Sequence, residues 1–237
     1  MKRLADKIID FNLNLHFEGL LPPGISLMNP FRDNQAAAEA SSAFYRKFYS
    51  DGLPRRMILG INPGRFGGGI TGIPFTDTKN LERHCGLRIA GITSYEISSV
   101  FVYEMIAAYG SPEKFYRHFY IGAICPLGFT VTDRNGKEKN YNYYDSRELT
   151  ETMKPFMVES LKQQIGFGFL TDTCFCLGTG KNFDFLTKLN NEYHFFETIV
   201  PLEHPRFIMQ YRLKRKQEYM EKYLEEFAGV NKVVVIN

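Results

Sequence analysis

Arg56-Met57-Ile58-Leu59-Gly60-Ile61-Asn62-Pro63-Gly64-Arg65-Phe66-Gly67-Gly68-Gly69-Ile70-Thr71-Gly72-Ile73-Pro74-Phe75 changes character part-way along. Met57 to Leu59 is a short apolar run of the kind that makes a fully buried strand. From Gly60 the chain breaks into six glycines within thirteen residues, at 60, 64, 67, 68, 69 and 72, with prolines at 63 and 74. Glycine at this density lets a ligand approach the main chain closely. Asn62 falls at the strand's carboxyl end, where open α/β sheets bind their ligands. Phe75 follows thirteen positions later and offers a flat apolar surface on a proline-stiffened turn. A polar strand tip, a loop of bare amides and an aromatic plate suit a planar polar ligand. The same composition also fits a plain surface loop, so the rest of the chain has to decide.

Working outward, apolar and turn-forming segments alternate. Residues 3–14 and 35–49 read as helices, and a strand runs from about 56 to 62. Residues 78–87 are mixed and polar. A helix at 96–109 closes on Gly110-Ser111-Pro112, and a shorter one at about 113–117 precedes a second strand at 120–125. Residues 129–142 read as a hairpin turning at Asp133-Arg134-Asn135-Gly136. Asp145 or Ser146 caps a helix running to about 165, in which Pro155 predicts an early turn or a kink. A third strand at 173–177 feeds a helix ending near 190, and a fourth at 197–202 feeds a long helix at 207–227. Residues 233–236 suit a last edge strand.

Strands alternating with helices predict an α/β fold: a three-layer sandwich with a central four-stranded parallel sheet and helices on both faces. No linker, repeat or low-complexity tract interrupts residues 1–237, so a single domain is expected. The strand tips then bring Asn62, Cys125-Pro126, Gly178-Thr179-Gly180-Lys181 and His204 to one edge of the sheet.

Composition narrows the possibilities without choosing among them. With 237 residues, 44% hydrophobic and 23% charged, the chain is an ordinary globular sequence with room for a sizeable core. Charged residues return too soon after Met1 for a signal peptide, and no apolar run approaches the ~20 residues a membrane span needs, so a cytoplasmic location is expected. The cysteines at 85, 125, 174 and 176 show no metal-ligand spacing and read as buried thiols. A net charge of +3 permits nucleic acid but does not demand it.

The chemistry-bearing residues sharpen this. Asn62 is a neutral amide and no general base, but its carbonyl oxygen can orient a water for an electrophile that is already reactive, such as an oxocarbenium-like sugar; the plain alternative is an Asx turn. His204, held extended by Pro205, can stabilise charge developing on a leaving group or serve only as a structural histidine. Gly178-Thr179-Gly180-Lys181, between a strand and a helix, resembles an anion cradle but lacks the full P-loop pattern, so a phosphodiester fits better than a triphosphate. Arg206, Arg212, Lys214, Arg215 and Lys216 gather at the start of the last helix, with Arg212, Arg215 and Lys216 spaced to share one face. That segregation favours phosphate binding over a merely solvated helix.

Gly60-Ile61-Asn62-Pro63-Gly64 with Thr71-Gly72-Ile73-Pro74-Phe75 resembles the first motif of the uracil-DNA glycosylase superfamily, and the Asn-to-Phe spacing matches its single-strand-selective monofunctional (SMUG-type) branch. Asn29-Pro30, Glu96-Ile97-Ser98, Gly110-Ser111-Pro112-Glu113, Cys125-Pro126-Leu127, Gly178, Gly180 and His204-Pro205 fall in the family's order, so the likeness covers roughly residues 1–227 and looks most like a bacterial branch. The resemblance implies a monomer that binds single- or double-stranded DNA, flips a damaged base into a pocket and cuts its glycosidic bond with no metal or cofactor, leaving an abasic site and an intact strand. Phe75 would stack on the base, with backbone amides near Ile61, Gly64 and Gly68 lining the pocket. Asn62 would position the water and His204 would stabilise the departing base. Gly178, Gly180, Lys181, Arg206, Phe207, Arg212 and Arg215 are the expected DNA contacts.

Two departures stand out. Ala123 occupies the place of the family's base-reading asparagine, so Asn142 becomes the candidate reader, or the pocket accepts other deaminated bases such as xanthine. Arg206-Phe207 replaces Ser-Pro after His-Pro and suits a wedge that fills the gap left by the flipped nucleotide. A catalytically inactive nucleic-acid binder of the same fold is the alternative reading, and an enzyme acting on free nucleosides a third.

Overall fold

The computed structural model describes residues 2–231, and the strand expected at 233–236 lies outside them. Before the glycine loop come α1 (Leu4–Leu13), β1 (Ile25–Met28), α2 (Pro30–Asp33), α3 (Gln35–Phe48) and β2 (Arg56–Gly60). The loop holds α4 (Gly68–Thr71). After it come α5 (Thr78–Cys85), α6 (Ile97–Tyr109), α7 (Pro112–His118), β3 (Phe119–Ala123), β4 (Gly128–Thr132) and β5 (Glu138–Tyr141). The remainder is α8 (Arg147–Ile165), β6 (Leu170–Leu177), α9 (Lys181–Tyr193), β7 (Thr198–Leu202), α10 (Pro205–Tyr211) and α11 (Lys216–Asn231).

Four strands form a parallel sheet in the order β3-β2-β6-β7. All five residues of β2 are buried, as an interior strand covered on both faces requires. Side-chain alternation sorts the aromatics between the two faces. Phe119 and Phe175 meet Phe227 of α11 at ring separations of 4.6 and 4.9 Å. Tyr120, one residue on, turns to Tyr45 and Tyr49 beside α3 and stacks on Phe169 at 4.6 Å. The expected α/β sandwich is therefore present.

At the amino end of β2, Arg55 is fully buried. It donates to the carbonyls of Tyr116 (2.6 Å), Leu53 (2.7 Å) and Phe48 (3.1 Å) and pairs with Asp51. Arg56 grips Asp172 with both forks of its guanidinium. Two of the chain's cations are thus structural and sit at the end of the strand opposite Asn62.

Three features depart from the sequence reading. The 129–142 hairpin exists as β4 and β5, but β1 joins it to make a three-stranded antiparallel sheet. Four residues after Pro22-Pro23-Gly24 are too few to show a period of two. The polar stretch at 78–87 contains α5, capped by the Asp77 side chain at one end and left-handed Gly86 at the other. It buries only Thr78, Leu81 and Cys85, which leaves no visible apolar stripe. Pro155 lies inside α8, which runs to Ile165 as the sequence reading expects.

The long helix expected at 207–227 is broken. The chain leaves helical geometry at Arg212, makes a 3-10 turn at Leu213–Arg215 and restarts as α11. The Arg212 backbone, at φ −131° and ψ 24°, lies outside helical geometry. Arg212, Arg215 and Lys216 consequently share no helix face. Arg215 pairs with Glu218 (2.7 Å), and Lys216 reaches Glu104 on α6 (2.5 Å).

Candidate active site

The carboxyl ends of the four parallel strands open into one cleft of about 870 Å³. β2 delivers Gly60, Ile61 and Asn62, and β3 delivers Gly122 and Ala123. The turn after β6 supplies Gly178, Thr179, Gly180 and Lys181, and the end of β7 supplies His204. The small sheet closes one side with Asn140 and Asn142. Its close approach needs the glycine at 128, where a Cβ would come within 2.7 Å of the Pro63 carbonyl oxygen.

Asn62 is held at both ends of its amide. Its Nδ2 donates to the Tyr141 carbonyl (3.2 Å), and its Oδ1 accepts from the Tyr143 amide (3.1 Å). These partners lie some eighty residues away, so Asn62 does not make the local Asx turn. One lone pair of Oδ1 remains for a water in a fixed direction. Tyr143 is itself fixed, because its hydroxyl donates to Asn182 Oδ1 (2.8 Å) and Asn182 donates to the Leu177 carbonyl (3.0 Å). A chain of bonds therefore ties Asn62 to the start of α9. The loop is less bare than its composition suggests, since the Gly64 carbonyl gathers the Gly67 and Gly69 amides at 3.1 and 2.9 Å.

Phe75 adopts a left-handed backbone, φ +53°. For an aromatic residue this costs on the order of 1 kcal/mol. Its ring lies against Gly60, where a Cβ would sit 2.7 Å from Cε2. Gly60→Ala is therefore expected to displace the ring while leaving the sheet folded. A displacement of about 1 Å next to the chemistry lowers rates on the order of 10²-fold. Single-turnover kinetics beside a thermal melt would check this, and an active variant would remove Phe75 from the site.

The His204 ring packs beside Phe75, with centroids 5.4 Å apart. Burial, with help from Arg206, pushes its pKa down to about 4, so the ring is neutral at pH 7. Its Nδ1 accepts the backbone amide of Arg206 (3.2 Å), which caps α10. An accepting Nδ1 leaves the proton of the neutral ring on Nε2. His204 thus presents a neutral N–H donor.

Ala123 and half-buried Asn142 both line the cleft, as do Gly64, Arg206 and Phe207. Gly68 does not; it borders a smaller chamber of about 30 Å³ behind the cleft. Pro126, expected at the sheet edge, also borders that chamber. Arg212 and Arg215 lie outside the cleft lining, with the Arg212 guanidinium over the Phe207 ring at 5.2 Å. Lys181 stands over Tyr144 at 5.7 Å, while Thr179 donates to Glu203 (3.0 Å), which places a carboxylate beside the anion cradle.

Among the lining residues that the sequence reading did not name as site residues, three stand out. Tyr211 is 61% exposed and pairs with Phe207 at 5.7 Å. Phe66 is 46% exposed with the Arg65 guanidinium 4.1 Å from its ring. Large apolar rings next to arginine were a visible signal for both. Glu96 packs its carboxyl against Gly64 and Gly67, and burial pushes its pKa up to about 7. Its only sequence signal was the Glu96-Ile97-Ser98 match.

The sequence profile of the Uracil DNA glycosylase superfamily matches residues 46–228, which includes Asn62, Phe75, Ala123, Gly178 and His204. The chain belongs to the uracil DNA glycosylase superfamily. Within the superfamily it is similar to SMUG2 of Pedobacter heparinus, whose crystal structure is 54% identical in sequence and superposes with a TM-score of 0.95. That match covers 98% of this chain and 100% of the other. No curated protein matches it. Among the described residues of this superfamily member, no helix is long and apolar enough to cross a membrane.

Proposed function

We propose that the protein is a monofunctional DNA glycosylase that removes deaminated bases, uracil and also xanthine, in base excision repair. On this reading it acts as a cytoplasmic monomer. The observation that carries the reading is the pairing of a doubly anchored Asn62 with a neutral His204 donor beside the Phe75 plate. The flipped base stacks on Phe75. As the C1′–N bond breaks, its electrons pass to the base, and His204 Nε2–H donates to the base oxygen on which charge grows. Asn62 Oδ1 holds the water whose oxygen forms the new bond to C1′. The sugar is already oxocarbenium-like at that point, so a neutral amide suffices where a general base would otherwise be needed.

The turn at Gly178–Lys181 and the start of α9 suit a phosphate on one side of the flipped nucleotide. Arg206, Phe207 and exposed Tyr211 suit the wedge on the other, with Arg212 and Arg215 further along the strand. Ala123 has no group to pair with a base edge, which supports acceptance of more than one deaminated ring; Asn142, on the cleft wall, is the candidate side-chain reader.

The test is a panel of single- and double-stranded oligonucleotides carrying uracil, xanthine or hypoxanthine, treated with alkali after incubation. Alkali-labile sites on uracil and xanthine strands, with no strand cut before alkali, are the expected result. Salt-dependent DNA binding with no base release would overturn the glycosylase in favour of a binding protein. Turnover of free nucleosides without benefit from DNA would overturn it in favour of a nucleoside enzyme.

A further inference from the structure

The small chamber behind the cleft shares Gly122 and Ala123 with the cleft wall. Pro63 and Pro74 also border both spaces, but at Gly122 and Ala123 the partition is thin, because one has no side chain and the other only a methyl. Asn12 of α1, Tyr45 of α3, Tyr120 of β3 and Gln164 of α8 bring polar side chains to it. The Tyr120 hydroxyl donates to Gln164 Oε1 (3.3 Å), and Gln164 Nε2 donates to the Ser160 carbonyl (3.2 Å). Gln164 Oε1 also comes up to the partition, 2.9 Å from where a Gly122 Cβ would be. Asn12 is different. It is 7% exposed and its side chain interacts with the Tyr45 hydroxyl, yet no partner lies at hydrogen-bonding geometry from its Nδ2. A buried amide N–H left unpaired carries its full desolvation cost, so such a group needs a partner.

At about 30 Å³ the chamber suits one or two waters, and a water needs two to four polar partners. We propose that it holds an ordered water, oriented by Asn12, that donates across the partition at Ala123 to an exocyclic oxygen of the flipped base. The polarity follows from the donors. Asn12 Nδ2–H obliges the water to accept from it. The water's own hydrogens are then directed outward, one to Gln164 Oε1 and one towards the base. A donor at that point selects a carbonyl and rejects an exocyclic amine, which would meet it donor to donor.

Deamination makes that exchange in cytosine, adenine and guanine, where an exocyclic amine becomes a carbonyl. Guanine and thymine already carry one oxo group, so this contact separates uracil from cytosine and hypoxanthine from adenine. The substrate class this site recognises is therefore the exocyclic oxo group, shared by uracil, xanthine and hypoxanthine and missing from cytosine and adenine at the edge concerned. It deepens the glycosylase reading and rests on it. Asn12 acts through the water and is a positioning residue.

The test compares wild type with Asn12→Ala, Asn12→Leu and the double variant Asn12→Ala/Ala123→Asn. Single-turnover excision of uracil and xanthine is measured beside melting temperature and affinity for DNA carrying a tetrahydrofuran abasic analogue. Asn12→Ala removes the amide that orients the water, so excision should fall about ten- to a hundredfold at unchanged DNA affinity, with a change in melting temperature of about 2–4 °C at most. Asn12→Leu fills the chamber and should lose as much. Adding Ala123→Asn supplies an amide directly to the base edge and should recover at least tenfold on uracil. Wild-type rates in both single variants, or a loss that tracks melting temperature and is not rescued, would overturn the proposal. An inactive wild type would instead remove the glycosylase reading, and this inference with it.

Discussion

Asn62→Ala should lower single-turnover excision of uracil about 10²- to 10³-fold, the scale on which a preorganised polar group at a reacting centre acts. The loss is expected in the chemical step, with affinity for abasic-analogue DNA kept. A melt is needed beside the rate, because the side chain also joins Tyr141 to Tyr143 across the cleft. Losing both bonds should cost about 1–3 kcal/mol of stability. Asn62→Asp separates the two roles. It keeps an acceptor for the Tyr143 amide and for water but sets a carboxylate against the Tyr141 carbonyl, so it should be the less stable and the more active variant. A folded Asn62→Ala protein within threefold of wild type would remove Asn62 from the chemistry.

His204→Ala should cost a similar factor, about 10²-fold, by removing the donor for the departing base. The wild-type pH profile gives an independent reading. With its pKa near 4 the ring is neutral through the physiological range, so the saturated rate should stay level from pH 8 down past pH 6 and decline only as pH nears 4. Below that, Nδ1 becomes a donor facing the Arg206 amide and the cap on α10 is lost. Stability shifts over a neighbouring window. In the unfolded chain the ring titrates at its ordinary 6.5, so between pH 6.5 and 4 the unfolded state binds a proton that the folded state does not. The contribution is complete above about pH 6.5 and is lost as pH falls towards 4. It amounts to at most about 3 kcal/mol, less the solvent screening at the ring's open edge. His204→Gln should lose this slope in urea unfolding measured across pH. Glu96 charges near pH 7 and affects affinity for a polyanion, so rates have to be taken at saturating enzyme. A decline centred on pH 6.5 would mean that the ring is not neutral by burial.

The parallel sheet was legible in the sequence because β2 and β3 are buried throughout and read as apolar runs, and β6 and β7 end in buried apolar residues. The same logic placed Asn62 and His204, since a strand tip fixes a position however the loops fold. What escaped depends on distance in the chain. Nothing near Asn62 announces Tyr141 and Tyr143 as its partners. The break at Arg212 has no glycine or proline to mark it, so the stretch reads as one helix. Glu96 carries a raised pKa only because the glycine loop folds onto it. Asn12 carries no signal in the sequence, and only the chamber it borders marks it.

β5 is an edge strand with Glu138 and Lys139 exposed, and the residues at and just beyond its end hold Asn62. On the proposed reading, part-buried hydrogen bonds at a sheet edge would set the direction of the attacking water, whereas the four-stranded core does not depend on them. Warming should fray this edge first, as amide exchange of Tyr141 and Tyr143 would register. Thermal inactivation would then run ahead of melting, reversible on cooling: a protein still folded, with its water pointed nowhere.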